Sequence, residues 1–447
     1  MAASLFDSAV FRGLLHDAEL APLFSDSAEV RAMLLVEGAL AEAQGALGLI
    51  PEESAAFLHR ACHEVQIDPS ALAAATGQNA VPVPALVAAF GKAVEAPAHA
   101  QWFHYGATSQ DIIDSALTLR LRRVVAVFED RIATLLAALS RLAEDHAHLP
   151  MAARTYMQAA TPTSFGAVVA SWGWPVLSHA ERLAALKPRL LRVSLSGAAG
   201  TSAPLGAQAG EIRAHMARAL GLADPGRSWH STRDSVAEFS GWITGLSAAL
   251  GKMAEDLMLM SQSGLGEVAL SGGGASSTMP QKANPVGLSV IAALARQAVA
   301  LNGVMQGAAI HRQQRDAAAW ISEWLTLPQM CLGLGRAVSL AADEARGLSP
   351  NPGAMARAFD DGMIHAEAIS FLLAKDMPRP QAQAAVKALA AEARDRGASL
   401  VGMVAERWPG RDWAAALSPA AQLGHAPDEA RNFAEAARGY AKTAGQK

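Results

Sequence analysis

Long helical runs are the feature of this sequence that most constrains its fold. From Asp111 onward, apolar residues recur three and four positions apart for many turns, and natural helix-capping residues stand at the start: Thr108, Ser109 and Asp111. Comparable runs begin near Phe165, Asp234, Pro285 and Ala317. Helices of this length, almost free of internal proline, predict an all-α fold around a bundle of long packed helices.

Prolines divide the two ends of the chain into shorter elements. Because 447 residues exceed the usual size of one compact core, we predict three domains: an N-terminal helical domain (1–110), a central long-helix bundle (111–350) and a C-terminal helical domain (351–447). Inside the bundle, Pro175 and Pro328 are expected to kink their helices rather than end them.

Charge and composition exclude several classes of function. The chain has 37 Lys and Arg residues against 41 Asp and Glu, a formal net charge of -4, which offers no positive field for nucleic acid. No run of about 18 uninterrupted apolar residues is present, so we expect no membrane span. The chain has two cysteines, Cys62 and Cys331, and no signal-peptide pattern, which favours a soluble cytoplasmic protein.

A glycine-rich polar segment, SGGGASSTMPQKANP (271–285), separates two of the long runs. Three successive glycines and two prolines predict a loop, in which backbone N–H groups can approach an anion beside the N-terminus of the next helix. A nucleophile or base, a cation and hydrogen-bond donors are supplied by Ser276, Ser277, Lys282 and Asn284. A phosphate-binding P-loop is excluded because the GxxxxGK[ST] spacing is absent. These residues alone leave an anion site and a flexible linker equally open.

A second segment, WFHYGATSQDIIDSA, places His104, Thr108 and Ser109 at a helix start. The hydroxyl groups either cap this helix, with His104 as a partly buried histidine, or bind a carboxylate together with the helix N-terminus. A third segment, ARTYMQAATPTSFG, precedes another long helix. Helix capping accounts for its Thr163 and Ser164, but it leaves other polar residues unexplained, among them Arg154 and Gln158.

The sequence gives no reason to expect a cofactor or a metal. It has no GxGxxG motif placed after a strand for a nucleotide. His59 and His63 have the spacing of metal ligands on one helical face, but only the neighbouring Glu64 could add to them. We interpret this segment as an ordinary helix.

Taken together, the three polar segments resemble the signatures of the fumarase/aspartase superfamily. GGGASSTMPQKANP looks like its signature loop, HYGATSQDIIDSA like its first conserved region and ARTYMQAATPTSFG like its second, in the same order and spacing. The resemblance implies a three-domain helical subunit, a homotetramer assembled through the long central helices, and active sites shared between subunits. It also implies an enzyme that adds or removes a group across a carbon–carbon double bond beside a carboxylate.

The resemblance also assigns roles to individual residues. Ser276, six positions before the loop lysine, would handle the proton, and His104 is the second expected catalytic residue. The residues expected to bind substrate are Lys282, Asn284, Thr108, Ser109, Arg154, Thr155, Tyr156, Gln158, Ser277, Met279 and Arg315. Removing a proton from carbon beside a carboxylate creates a doubly charged aci-carboxylate, and preorganised donors and cations stabilise that charge as it forms.

Two departures from the superfamily pattern distinguish among its reactions. In members that release an amine, such as adenylosuccinate and argininosuccinate lyase, a histidine stands where this chain has Tyr156, and a glutamate that orients it stands where this chain has Gln314. An amine leaves poorly unless it is protonated, whereas a carboxylate attacks or leaves without such help. The chain therefore resembles the cycloisomerase branch, with a small tricarboxylate as substrate. An amine-releasing lyase is the alternative.

Overall fold

The structure is a computed structural model that describes residues 4–270, 274–275, 279 and 282–444. Helices account for 71% of the chain and strands for 5%, which confirms the predicted all-α class. The α-helices are α1 (Arg12–Leu15), α2 (Asp26–Ala46), α3 (Glu52–Glu64), α4 (Ala73–Asn79), α5 (Val83–Val94), α6 (Pro97–Ala100), α7 (Ser109–Asp145), α8 (Phe165–Leu190), α9 (Ala209–Leu220), α10 (Asp234–Ser261), α11 (Val286–Ala308), α12 (Ala317–Gly347), α13 (Pro352–Ala356), α14 (Ala366–Leu373), α15 (Arg379–Arg396), α16 (Leu400–Arg407), α17 (Trp413–Ala416) and α18 (Ala426–Ala444).

Short elements connect these helices. The strands form two-stranded antiparallel pairs: β1 (Pro150–Thr155) with β2 (Gln158–Ser164), β3 (Val268–Ala269) with β6 (Ser349–Pro350), and β4 (Gly274–Ala275) with β5 (Ala283–Asn284). Short 3₁₀ segments occur at Leu5–Asp7, Ala21–Phe24, Pro69–Leu72, Ala203–Gln208, Arg357–Phe359, Met363–His365 and Pro419–Gln422.

The five long runs found in the sequence are the helices α7, α8, α10, α11 and α12, and each begins within two residues of its predicted start. Pro175 lies inside α8 and Pro328 inside α12, so both helices continue past their prolines as expected. These helices contain 23 to 37 residues, which is far above the average length in globular proteins.

The start of α7 is held by a reciprocal capping arrangement. Thr108 precedes the helix, its backbone N–H donates to Oδ2 of Asp111 at 3.0 Å, and its carbonyl accepts from the N–H of Asp111 at 2.9 Å. Ser109, which we expected among the capping residues, is instead the first residue of the helix. The hydroxyl of Thr108 is thereby left for another contact, described below.

The chain forms two compact units, and the boundary between them falls inside each of the five long helices. The first unit contains Met1–Asp130, His179–Ala248 and Leu294–Arg336, and the second contains Arg131–Ser178, Ala249–Ala293 and Ala337–Lys447. The three domains predicted from the sequence, with boundaries near residues 110 and 350, remain a prediction.

In the first unit, α2 packs against α3 and α9, and the N-terminal turns of α7 complete an apolar core. The contact between α2 and α3 is close at Gly45, where a Cβ atom would lie 2.2 Å from the Cβ of Ala55. The rings of Trp320 and Trp324 lie 4.6 Å apart and pack on this core.

In the second unit, a β-hairpin that we did not predict precedes α8. Thr155 lies opposite Gln158, so Tyr156 and Met157 form the two-residue turn, with φ of 49° and 62°. Two successive left-handed residues give the twist that a tight hairpin needs, and Asn or Gly normally signals such a turn. Neither residue is present here, which explains why the sequence did not reveal the hairpin.

The end of this hairpin caps the following helix. The Oγ of Ser164 accepts a hydrogen bond from the N–H of Ala167 at 3.1 Å, as the sequence predicted. Thr163, the other expected capping residue, lies in β2 opposite Met151. Farther along the second unit, the helices α14 to α17 enclose a separate apolar cluster around Ile369 and Leu400.

One helix in the described part of the chain, α11, is long and apolar enough to cross a membrane by length and composition, and 44% of the relevant stretch is buried. A core helix of a water-soluble protein meets the same two criteria, so α11 alone is weak support for a membrane span. Polar residues, including Arg296 and Asn302, interrupt its apolar sequence.

Candidate active site

In the first unit, Arg315 joins the loop before α12 to the start of α7. Its Nε donates to Oε1 of Gln110 at 2.9 Å, and its Nη2 donates to Oγ1 of Thr108 at 3.2 Å and to the carbonyl of Ala198 at 3.2 Å. Two residues that were expected to bind substrate, Thr108 and Arg315, therefore lie in direct contact. Together they present a cation and a hydroxyl group beside the N-terminus of a long helix, which is a favourable setting for a carboxylate.

The loop that carries Arg315 is itself anchored. Asp316 caps α12, because its Oδ1 accepts from the N–H groups of Ala318 at 3.0 Å and Ala319 at 3.3 Å. Its Oδ2 accepts from Nε of Arg312 at 2.6 Å, which pairs the two ends of the loop. Gln314, which the superfamily resemblance aligns with a glutamate, lies exposed in this loop.

Beneath Arg315, a layer of buried polar residues supports the helix start. Gln110 is fully buried, and its Nε2 donates to Oδ2 of Asp114 at 3.2 Å and to the carbonyl of His230 at 2.9 Å. Asp111, also fully buried, accepts from Nε2 of His230 at 2.7 Å and from the backbone N–H groups of Ser196 at 2.8 Å and Gly197 at 2.9 Å. These hydrogen bonds fix the loop at residues 194–198 against α7 and therefore fix the carbonyl that Arg315 contacts.

A buried ion cluster lies one helical turn further along α7. Arg233 is completely buried and donates to Asp114 at 2.7 and 3.1 Å and to Glu323 at 2.9 and 2.6 Å. Its guanidinium also stacks over the ring of Trp229 at 4.7 Å, and Nε1 of Trp320 donates to Asp114 at 3.2 Å. This cluster ties α7, the start of α10 and α12 together below the site.

Sequence reasoning missed most of these supporting residues. Asp111 was interpreted only as a capping residue, and no role was assigned to Asp114, Arg233 or Glu323. One signal was present: Gln110, Asp111 and Asp114 stand among apolar residues in the first turns of a long helix, and a polar residue on a buried face requires a partner. The identity of those partners is not readable from the sequence, because they lie 83 to 206 residues away.

His104 lies in a strained segment just before α7. Its φ is 62°, in the left-handed region, and its Nδ1 lies 2.6 Å from Oε1 of the buried Glu37 on α2. Burial by itself lowers the pKa of His104, but the charge of Glu37, the hydrogen bond to it and the charge of Asp111 outweigh burial and raise the pKa above its ordinary value. Ser109, the neighbouring predicted site residue, is half-buried at the first position of α7.

In the second unit, the hairpin of β1 and β2 carries four of the predicted residues. Arg154 makes a bidentate ion pair with the buried Glu267, with N–O distances of 2.9 and 2.7 Å. Thr155 and Gln158 are exposed partners at the end of the ladder, and Tyr156 lies fully exposed at the turn. The pair with Glu267 neutralises Arg154 and anchors the hairpin, so substrate binding by Arg154 remains a prediction.

The signature loop is described in part. Gly274 and Ala275 pair with Asn284 and Ala283, so the loop closes on itself as a narrow antiparallel ladder. Met279 and Lys282 are exposed, and the N–H of Lys282 donates to the carbonyl of Met279 at 3.0 Å. Asn284 is half-buried directly before α11. Ser276 and Ser277 lie outside the described residues.

Comparison with known proteins shows the family to which the chain belongs. A family model described as a lyase matches residues 17–300, which is more than half of the chain. The chain belongs to the fumarase/aspartase superfamily. A 3-carboxy-cis,cis-muconate cycloisomerase from Pseudomonas aeruginosa is 38% identical over 383 residues, 83% of each protein. A nitrosuccinate lyase from Streptomyces davaonensis is 36% identical over 414 residues, 89% of this chain and 87% of that protein.

The fold of this superfamily member also matches a solved structure. The crystal structure of 3-carboxy-cis,cis-muconate lactonizing enzyme from Pseudomonas putida superposes with a TM-score of 0.92, covers 97% of this chain and 100% of its own, and is 31% identical in sequence. Membership in the superfamily makes the protein an enzyme and confirms the resemblance stated from the three polar segments.

Proposed function

We propose that the protein is a 3-carboxy-cis,cis-muconate cycloisomerase, which forms a carboxymuconolactone in the degradation of protocatechuate. The observation that carries the proposal is Tyr156. This residue stands at the tip of the hairpin, 101% exposed, at the place where amine-releasing members of the superfamily have a histidine. Without a histidine to act as the general acid there, the chain is poorly suited to expel an amine. Lactonisation needs no general acid at this position. Relatives of this activity from P. aeruginosa and P. putida support the choice.

The proposed reaction is an intramolecular addition. One substrate carboxylate attacks a carbon of the double bond and forms a C–O bond, while the π electrons move onto the neighbouring carbon and its carboxylate as an aci-carboxylate. Lys282 and Asn284 stabilise that charge, and Ser276 delivers a proton to the carbon and regains one from water. The C–O and C–H bonds replace the double bond, and the added proton comes from water, so the product is an isomer of the substrate in its acid form.

The oligomer is part of the same proposal. A homotetramer with active sites shared between subunits is supported by superfamily membership and by the exposed apolar side chains on α11 and α12, among them Val299, Val304 and Leu325. We further propose a soluble, cytoplasmic enzyme without cofactor, metal, nucleic-acid or membrane partner. Light scattering after size-exclusion chromatography should give a mass of four chains. A monomer with full activity would contradict the shared sites.

The substrate is tested directly by absorbance. Purified protein is expected to remove the conjugated-diene absorbance of 3-carboxy-cis,cis-muconate and to leave adenylosuccinate and argininosuccinate unchanged. Turnover of adenylosuccinate would place the chain among the amine-releasing lyases. Failure of a well-folded tetramer to act on the muconate would reject the cycloisomerase assignment.

A second candidate reaction has one specific observation in its favour. The similar nitrosuccinate lyase covers 89% of this chain, and elimination of nitrite also needs no protonation of the leaving group. Nitrosuccinate carries two carboxylates instead of three, so it would need fewer cations at the site. Including nitrosuccinate in the same assay separates the two reactions, because one consumes a conjugated diene and the other creates a double bond and releases nitrite.

Arg315 provides a test of the site in the first unit. We expect Arg315→Lys to raise KM by about 10- to 100-fold, because an ammonium group cannot contact both Gln110 and Thr108 as the planar guanidinium does. The matched control is Arg312→Lys in the same loop, where the arginine is largely exposed and pairs with Asp316. Equal effects of the two variants on KM would mean that Arg315 only shapes the loop.

A further inference from the structure

Helix α2 places two buried polar residues, seven positions apart, against the segment that carries His104. Glu37 pairs with the His104 ring, and Nε2 of Gln44 donates to the carbonyl of Tyr105 at 2.6 Å. The segment itself has a left-handed backbone at His104 (φ 62°) and at Gly106 (φ 74°), where a Cβ would lie 2.5 Å from the side chain of Leu205. The position of the imidazole is therefore determined by the contacts with α2 and by the close packing of Gly106 against Leu205.

The surroundings of Glu37 indicate which protonation state of His104 the fold favours. Glu37 is buried to 1% exposure, and its second oxygen, Oε2, has no hydrogen-bond partner among the described residues. A buried carboxylate with one hydrogen bond is strongly destabilising unless a positive charge lies beside it. His104 is the group that can supply this charge. The nearby thiol of Cys62 cannot, because a thiol is either neutral or negative, and burial and the charge of Glu37 raise its pKa and keep it neutral.

The tautomer follows from the same contact. Nδ1 of His104 carries the proton shared with Glu37, so Nε2 has a hydrogen only when the ring is an imidazolium. The side chain keeps 20% of its surface exposed, so the ring is accessible. An imidazolium with one nitrogen anchored is a charge-assisted donor for a carboxylate.

We propose that Glu37 is a positioning residue that holds His104 as an imidazolium, so that His104 contributes a further cation for a substrate carboxylate. The proposal rests on the proposed function for the identity of that carboxylate, but not for the state of His104. The charged groups that face the ring are Glu37 on α2 and Asp111 on α7, and both attract the proton. Binding should therefore weaken as pH rises through the raised pKa of His104, and it should be complete at lower pH.

The test uses Glu37→Gln, which keeps the shape and removes the charge. In the pH profile of kcat/KM, we expect the fall on the alkaline side to move to lower pH. KM at pH 7.5 should rise about tenfold, whereas kcat should change much less. Glu37→Asp retains the charge and should restore most of the wild-type profile. The matched control is Glu42→Gln on the same helix, where an exposed carboxylate lies 3.9 Å from the exposed His59. This control should leave the profile unchanged.

A second measurement does not depend on turnover. Histidine C2 hydrogen–deuterium exchange, followed by mass spectrometry of the peptide that contains His104, gives the pKa of this ring in the intact protein. We expect a value above 6.5 in the wild type, a lower value in Glu37→Gln, and a further rise when tricarballylate, an unreactive tricarboxylate, is added. A wild-type value at or below 6.5, or an alkaline limb that Glu37→Gln does not move, would overturn the proposal. If the muconate is not turned over but the ring behaves as expected, only the substrate assignment fails.

Discussion

Ser276→Ala is expected to lower kcat by about 10²- to 10⁴-fold, because it removes the group that transfers the proton at carbon. The fold should be unaffected, since a single hydroxyl group is lost from a glycine-rich loop. Comparison of kcat, KM and the circular dichroism spectrum of the variant with those of the wild type measures both effects. KM should change little, because Lys282 and Asn284 remain to bind the carboxylate.

The control for this variant is Ser289→Ala, which removes a hydroxyl group from the exposed first turns of α11. Its Oγ donates to the carbonyl of Pro285 at 2.9 Å, a contact with no part in the proposed chemistry. We expect its kcat to stay within about twofold of the wild type. A Ser276→Ala enzyme that retained wild-type kcat would remove the proton-transfer assignment, whatever the substrate.

Arg233→Met is expected to lower the free energy of unfolding by about 3–5 kcal/mol, the largest effect on stability that we predict. Methionine fills similar space but leaves Asp114 and Glu323 as two buried carboxylates without their shared cation. Burial already raises the pKa of Glu323 against the attraction of Arg233, so loss of the arginine adds to an existing cost. Urea unfolding followed by circular dichroism measures the change.

An exposed ion pair provides the comparison. Arg396 pairs with Glu392 at 2.9 Å on the surface of α15, with more than half of each side chain exposed. Solvent screening makes such a pair worth about 0.3–0.5 kcal/mol, so Arg396→Met should be close to neutral. Similar losses in the two variants would mean that burial of the Arg233 cluster contributes nothing special to stability. A reduced KM effect of Arg315→Lys in the Arg233→Met background would further show that the cluster supports the site.

Much of the fold was predictable from local sequence. The five long helices begin where apolar periodicity begins, because a repeat near 3.6 residues places one face of a helix in the core wherever the helix lies. Ser164 caps α8 as expected, since capping depends on residues three positions apart. The contact between Thr108 and Arg315 was not predicted, because 207 residues separate them, although the superfamily resemblance assigned both to substrate binding.

The local elements that escaped prediction have specific physical causes. The turn at Tyr156 and Met157 has positive φ angles at two residues that rarely adopt them. Because the turn contains no glycine or asparagine, the sequence did not indicate a hairpin. The sequence named Thr108, Ser109 and Asp111 as capping residues of α7 without separating their roles, because serine, threonine and aspartate all bind helix N–H groups. Only their positions in three dimensions distinguish them.

The sequence by itself determined the helical class, the starts of the long helices and the residue types that can handle a proton beside a carboxylate. These properties depend on neighbours within a few turns of helix. Tertiary structure alone decided that Glu37 faces His104, that Arg233 lies between Asp114 and Glu323, and that Arg154 is neutralised by Glu267. A buried charge requires a partner of opposite sign, but the chain can supply that partner from any distance, and only packing selects which one.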